Sequence, residues 1–171
     1  NNPKVNKKKI KRITVRKAKK NEKIITIDNK KRKLDENMLV IADDREPIAI
    51  AGVMGGLNSE VDGESKTIIL EAANFNDTSV RKTSQKLGLR SEAVLRFEKG
   101  QSIDLPEKGL YRACELFEKY AGAKVSSNIA DTLNKLPKRL RIKLELNYVE
   151  RLIGIKIPKV KIIKMEKINW L

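Results

Sequence analysis

Through the first 73 residues the apolar positions come in short runs. Residues 10–15, 23–27, 38–42, 47–53 and 67–73 are rich in β-branched and aliphatic side chains, and Asp-Asn, Asp-Asp and Gly-Gly breaks interrupt them. Short apolar runs bounded by turn residues predict strands. Asp28-Asn29 predicts a hairpin turn, because Asn tolerates positive φ and Asp bonds its own backbone.

From Asn76 the period changes. Val80, Ser84 and Leu87 fall on one helical face, behind a cap at Asn76 or Asp77 and ahead of a stop at Gly88. A second short helix follows, capped by Ser91, with Ala93, Val94 and Phe97 as its apolar stripe and Gly100 at its end. The clearest helical pattern is Leu105–Ala121. Leu110, Ala113, Cys114, Phe117 and Tyr120 recur at i, i+3, i+4, i+7 and i+10, between Asp104 and Gly122. That stripe predicts an inward face belonging to the core.

Pro137 and a cluster of charges predict a linker at residues 135–140, followed by a strand at 141–146 and a helical turn capped by Asn147 and closed by Gly154. Pro158 can open a further helix. The expected fold is α+β: a mixed or barrel-like sheet with helices packed on one side over residues 1–134, then a small helical unit over residues 141–171. A unit of roughly 30 residues is below the size that usually folds alone, so it reads as the start of a longer domain.

Composition narrows the function classes. No apolar run approaches the roughly 18 to 20 residues that span a bilayer, and the basic N-terminal stretch lacks the apolar segment of a signal peptide. The one cysteine, Cys114, cannot form an internal disulfide, and a chain without histidine has no Cys/His zinc site. A cytoplasmic setting is expected. The net charge of +16 is unevenly spread: residues 1–33 carry +13, residues 34–79 carry −8, residues 80–130 carry +4 and residues 131–171 carry +7. Basic ends around an acidic middle suit flanks that meet a nucleic-acid phosphate backbone, with Lys7, Lys8, Lys9 and Lys11 as candidate contacts. A lysine-rich solvated surface is the alternative.

Four pieces then occur in fixed order: Ile48-Ala49-Ile50-Ala51-Gly52-Val53-Met54-Gly55-Gly56, Ile69-Leu70-Glu71-Ala72-Ala73-Asn74-Phe75, Leu89-Arg90-Ser91-Glu92-Ala93 and Arg96-Phe97-Glu98-Lys99-Gly100. In order and spacing they resemble the editing region of the bacterial phenylalanyl-tRNA synthetase beta subunit, and a weaker likeness runs from about Ile10 through Asp131. Residues 142–157 look like the opening of the next, winged-helix-like module of that subunit.

The resemblance implies an editing task with a physical basis. A pocket for phenylalanine rejects an isostere carrying one more hydroxyl only about a hundredfold, whereas a second site built to hydrogen-bond that hydroxyl discriminates by about 10⁴ to 10⁵. It implies hydrolysis of tyrosyl-tRNA(Phe), with Glu71 accepting the phenol hydrogen, Gly55 allowing close backbone approach, and Ser91 and Ala93 at the pocket wall. The plainer readings are a strand-end glutamate paired with a lysine, a turn glycine, a helix cap and a core alanine. The family also carries a Leu-His-Ala-Phe-Asp stretch whose histidine counts back to about Asn2, where this chain has none.

No Ser/His/Asp or Cys/His arrangement is present, so water is the expected nucleophile, positioned rather than activated by a strong base. ATP, magnesium and contacts to the alpha subunit of an alpha2-beta2 assembly are implied for the whole ligase, beyond Leu171, with no cofactor or metal in this stretch. The competing reading is a basic RNA-binding or scaffold segment without chemistry of its own.

Overall fold

The computed structural model describes residues 12–126, 128–132 and 143–168. The chain divides into two compact units, Asn1–Ser126 and Ser127–Leu171.

The first unit is built on an antiparallel four-stranded sheet of β1 (Thr14–Lys17), β4 (Leu39–Ala42), β5 (Pro47–Ile50) and β6 (Met54–Gly55), in the order β1-β4-β5-β6. β4 is the sheet's most buried strand. Val40, Ile41 and Ala42 are all buried, which is why its sequence is continuously apolar rather than alternating. Asp43 closes the turn into β5 by accepting from the backbone N–H groups of Arg45 and Glu46, both at 2.8 Å. Pro47 sits at the first position of β5, where a missing N–H costs the ladder least.

A separate hairpin of β2 (Lys23–Ile25) and β3 (Lys31–Lys33) lies against this sheet through the Thr26–Gly56 bridge and the bond from the Ile27 N–H to the Gly55 carbonyl, 3.1 Å. Its turn contains Asn29 at φ 60°, as Asp28-Asn29 predicts. Thr26 is fully buried and accepts from Arg32 Nε at 2.9 Å, while Arg32 also pairs with Asp28. At the β1 to β2 turn, Glu22 takes both arms of Arg16, at 2.7 and 2.9 Å, and the Lys19 N–H at 2.7 Å.

Three helices follow in this unit. The first, α1 (Asp77–Leu87), is capped by Asn76, whose side chain accepts from the Ser79 N–H, and ends at Gly88 with φ 63°. The second, α2 (Glu92–Phe97), is capped by Ser91. Val80 of α1 and Val94 of α2 join Leu34, Val40, Ile50 and Val53 in one apolar core. Burying each such side chain contributes about 1.5 to 3 kcal/mol. Gly52, at φ 68°, makes the contact between sheet and helices possible: a Cβ there would stand 2.9 Å from Val80 Cγ2 and 3.0 Å from Phe75 Cδ2. The third, α3 (Leu105–Ala121), ends at Gly122 as predicted, yet none of its residues is buried.

The α+β expectation holds, with antiparallel pairing and a sheet that does not close into a barrel. Four details differ. Residues 67–73 form no strand, and among the described residues no strand pairs with them. β3, an all-charged Lys-Arg-Lys, is a strand because the hairpin turn pairs it with β2. The stripe of α3 is not core: Leu110, Ala113 and Cys114 are only half-buried, and Phe117 and Tyr120 are exposed. Lastly, residues 143–145 are not a strand and the next helix begins before Asn147. That helix, α4 (Leu146–Ile153) in the second unit, follows Glu145 and closes at Gly154, φ 82°. α5 (Lys159–Ile168) starts directly after Pro158. No described helix is long and apolar enough to cross a membrane. The expected linker at 135–140 and Lys7, Lys8, Lys9 and Lys11 lie outside the described residues.

Candidate functional site

Gly52, Gly55 and Gly56 stand close in sequence but answer to different constraints. Gly52 is required by the helix contact above. At Gly56 a Cβ would fall 2.6 Å from the Ile48 carbonyl oxygen, a backbone atom that cannot move aside. Gly55 is different: its φ is not positive, and a Cβ there would meet only Ile27 Cγ2, at an ordinary 3.6 Å. The fold therefore does not demand glycine at position 55. A bare backbone there leaves open space beside β6, which a ligand can approach closely.

Ser91 ties this strand end to α2. Its Oγ donates to the Val53 carbonyl at 2.6 Å and accepts from the Val94 N–H at 3.2 Å. A serine hydroxyl has one hydrogen, and here it is committed to the backbone two residues before Gly55. Ser91 thus acts by holding the start of α2 against the turn, and Ala93, half-buried in the first helical turn, is carried with it. Val94, next to Ala93, is fully buried, so the position of Ala93 is set by the core.

Glu71 lies in the irregular segment between the short 3-10 turn Leu57–Ser59 and α1. Asn74 anchors the end of that segment by donating to the Gln101 carbonyl at 2.7 Å, and Phe75 packs edge-on against Phe97 of α2 with ring centroids 5.2 Å apart. Four extended residues span at most about 14 Å, which bounds the distance from Phe75 to Glu71. Glu71 is exposed by area, yet enough protein surrounds its carboxyl that desolvation pushes its pKa above the ordinary carboxylate value. Glu71 makes no ion pair with any described residue.

The Ser91–Val53 bond thus ties the start of α2, with Ala93, to the turn just before Gly55, while Glu71 lies four residues before Phe75, which packs on Phe97 of the same helix. A second group escaped the sequence reading. Lys17, Lys82 and Lys86 line one cleft elsewhere on the same unit. Lys82 and Lys86 are four residues apart and legible as one helix face, but Lys17 reaches them only through the fold.

Comparison with known proteins gives two findings. A family model described as the B3/4 domain matches residues 4–122. The chain is also similar to the phenylalanine–tRNA ligase beta subunits of Carboxydothermus hydrogenoformans (41% identical, 90% of this chain and 19% of the relative), Bacillus subtilis (41%, 92% and 20%) and Aquifex aeolicus (50%, 66% and 15%). It spans about a fifth of the length of the first two of these relatives.

Proposed function

We propose that this chain, which belongs to the B3/4 domain family, is the part of a phenylalanine–tRNA ligase beta subunit that hydrolyses mischarged tyrosyl-tRNA(Phe). The observation that carries this reading is Glu71: a carboxyl without a cationic partner among the described residues, and with enough protein around it to hold its proton more tightly than usual. An unpaired acceptor in such a setting suits a phenol hydroxyl, and tRNA charged with phenylalanine has no hydrogen to offer it.

Gly55 supports the same reading, because its lack of a side chain serves no packing need. Ser91 and Ala93 form the wall that sets how deep an aromatic ring can enter. In this scheme the frame holds the ester and a water in line, and selectivity comes from the Glu71 contact rather than from a strong base. The whole ligase would add ATP, magnesium, the alpha subunit and the attachment of phenylalanine to tRNA(Phe), all through parts other than this chain.

The test is deacylation of purified tyrosyl-tRNA(Phe) by the ligase that carries this chain. Glu71→Ala is expected to slow hydrolysis about 10- to 100-fold, the loss of one charge-assisted hydrogen bond of about 1.5 to 3 kcal/mol, without changing phenylalanine charging. Ala93→Trp is expected to abolish hydrolysis by filling the ring site. Wild-type rates in Glu71→Ala would remove Glu71 from the site, and wild-type rates in both variants would favour the scaffold reading.

A further inference from the structure

We propose that the cleft between the end of β1, the turn leading into β4 and the outer face of α1 binds backbone phosphates of an RNA strand. The cleft has a volume of about 580 Å³ and is lined by Lys17, Lys82 and Lys86 together with Asp35, Asn37 and Asn76. The choice of RNA over another polyanion rests on the function proposed above; the basic cleft itself does not.

Charge carries the argument. Among the described residues neither Lys17 nor Lys82 has a carboxylate partner, while Lys86 is held at 2.7 Å by Asp35, the one acidic residue of the lining. Two unneutralised ammonium groups therefore share the cleft with a third that is oriented by its ion pair. Lys82 and Lys86 are also like charges one turn apart, an arrangement that weakens an isolated helix and brings α1 no intrahelical return.

Asn76 adds a neutral donor. Its side-chain oxygen is used to cap α1, accepting from the Ser79 N–H at 2.9 Å, which leaves its amide hydrogens without a described partner. Lysine ammonium groups and side-chain amides are groups that contact phosphate oxygens without reading bases. No aromatic ring lines the cleft, so base stacking is not on offer. The predicted contact is with the backbone and independent of sequence. It uses lysines other than Lys7, Lys8, Lys9 and Lys11, on which the charge distribution alone would place RNA binding.

The experiment measures binding of a tRNA(Phe) transcript to this chain over a series of salt concentrations. Each lost phosphate contact removes about 0.7 to 0.9 from the slope of log K against log salt, so Lys17→Ala/Lys82→Ala is expected to flatten the slope by about 1.4 to 1.8. Affinity at about 0.15 M salt should fall about 10- to 30-fold. Both lysines are exposed, and an unchanged circular dichroism spectrum with recovery of binding in Lys17→Arg/Lys82→Arg separates lost charge from lost fold.

Inorganic phosphate is the second arm. Failure of millimolar phosphate to displace the transcript is expected, because one small anion does not replace several linked phosphates; full displacement would assign the cleft to a small anion and overturn the proposal. An unchanged slope in the double variant, with loss only on neutralising Lys7, Lys8, Lys9 and Lys11, would overturn it as well. The editing reading fails separately, through the Glu71→Ala deacylation rate, which does not depend on the salt slope.

Discussion

Two helices of this chain are built to the same plan and meet different fates. Both α1 and α3 are amphipathic, and both end at a glycine in the left-handed conformation, Gly88 at φ 63° and Gly122 at φ 60°. Yet α1 buries Val80, Thr83 and Ser84, while no residue of α3 is fully buried and Phe117 and Tyr120 stay 38% and 73% exposed. An apolar stripe states that a helix can bury a face. Whether it does so depends on a complementary surface, and for α1 that surface is the bare backbone of Gly52.

The largest test of this contrast is to remove the complementary surface. Gly52→Ala adds a left-handed penalty of about 1 to 2 kcal/mol to overpacking against Val80 and Phe75 of about 1 to 3 kcal/mol, and should lower stability by about 2 to 5 kcal/mol in urea denaturation. A near-neutral result would mean that α1 is not seated on the sheet as described. Next in size is a paired truncation. Val80→Ala should cost about 1 to 2 kcal/mol, whereas Phe117→Ala, despite deleting a larger side chain, should change stability by less than about 0.5 kcal/mol. Equal losses would erase the distinction between the two helices.

The contrast between partnered and unpartnered groups extends to two carboxylates. Hydrogen bonds from Arg16 hold Glu22 below the usual carboxylate range, so its contribution is complete above the unfolded value of about 4.3 and is lost as pH falls through its lower folded value. Glu22→Gln should cost about 1 to 3 kcal/mol near neutral pH, and the difference from wild type should disappear at the acid end of a pH series. Glu71 has the opposite sign. Desolvation raises its pKa, so ionisation above the unfolded value disfavours the folded state, and Glu71→Gln should slightly raise the melting temperature at neutral pH. Below about pH 4 both forms are neutral and the small gain should vanish. A melting temperature lowered by the substitution would mean that Glu71 is structurally paired.

The sequence disclosed those features that are locally encoded. Asn76, Gly88, Ser91 and Gly122 each mark a helix end by their own chemistry, and all four stand at those ends in the structure. It was silent where an element depends on a neighbour. The Lys-Arg-Lys of β3 has no strand signature beyond the hairpin that pairs it, and residues 67–73 have the composition of a strand without a strand to join. For the site, the glycine spacing singled out residue 55, but that the fold does not itself require glycine there emerges only from the space around it. The committed hydrogen of Ser91 was equally hidden, since Val53 lies 38 residues away.

β1 is the outermost strand of its sheet, and among the described residues no strand pairs with its other edge. Such an edge offers unpaired backbone groups to any extended chain that drifts past, and Val15, 55% exposed, adds apolar surface to it. Arg12 and Lys17 along this segment give two copies a reason to repel before their backbones can zip together. Lys17 therefore guards colloidal solubility as well as lining the cleft. A variant stripped of its charge should be handled at low concentration, where weaker RNA binding will not be confused with the self-association of an unguarded strand.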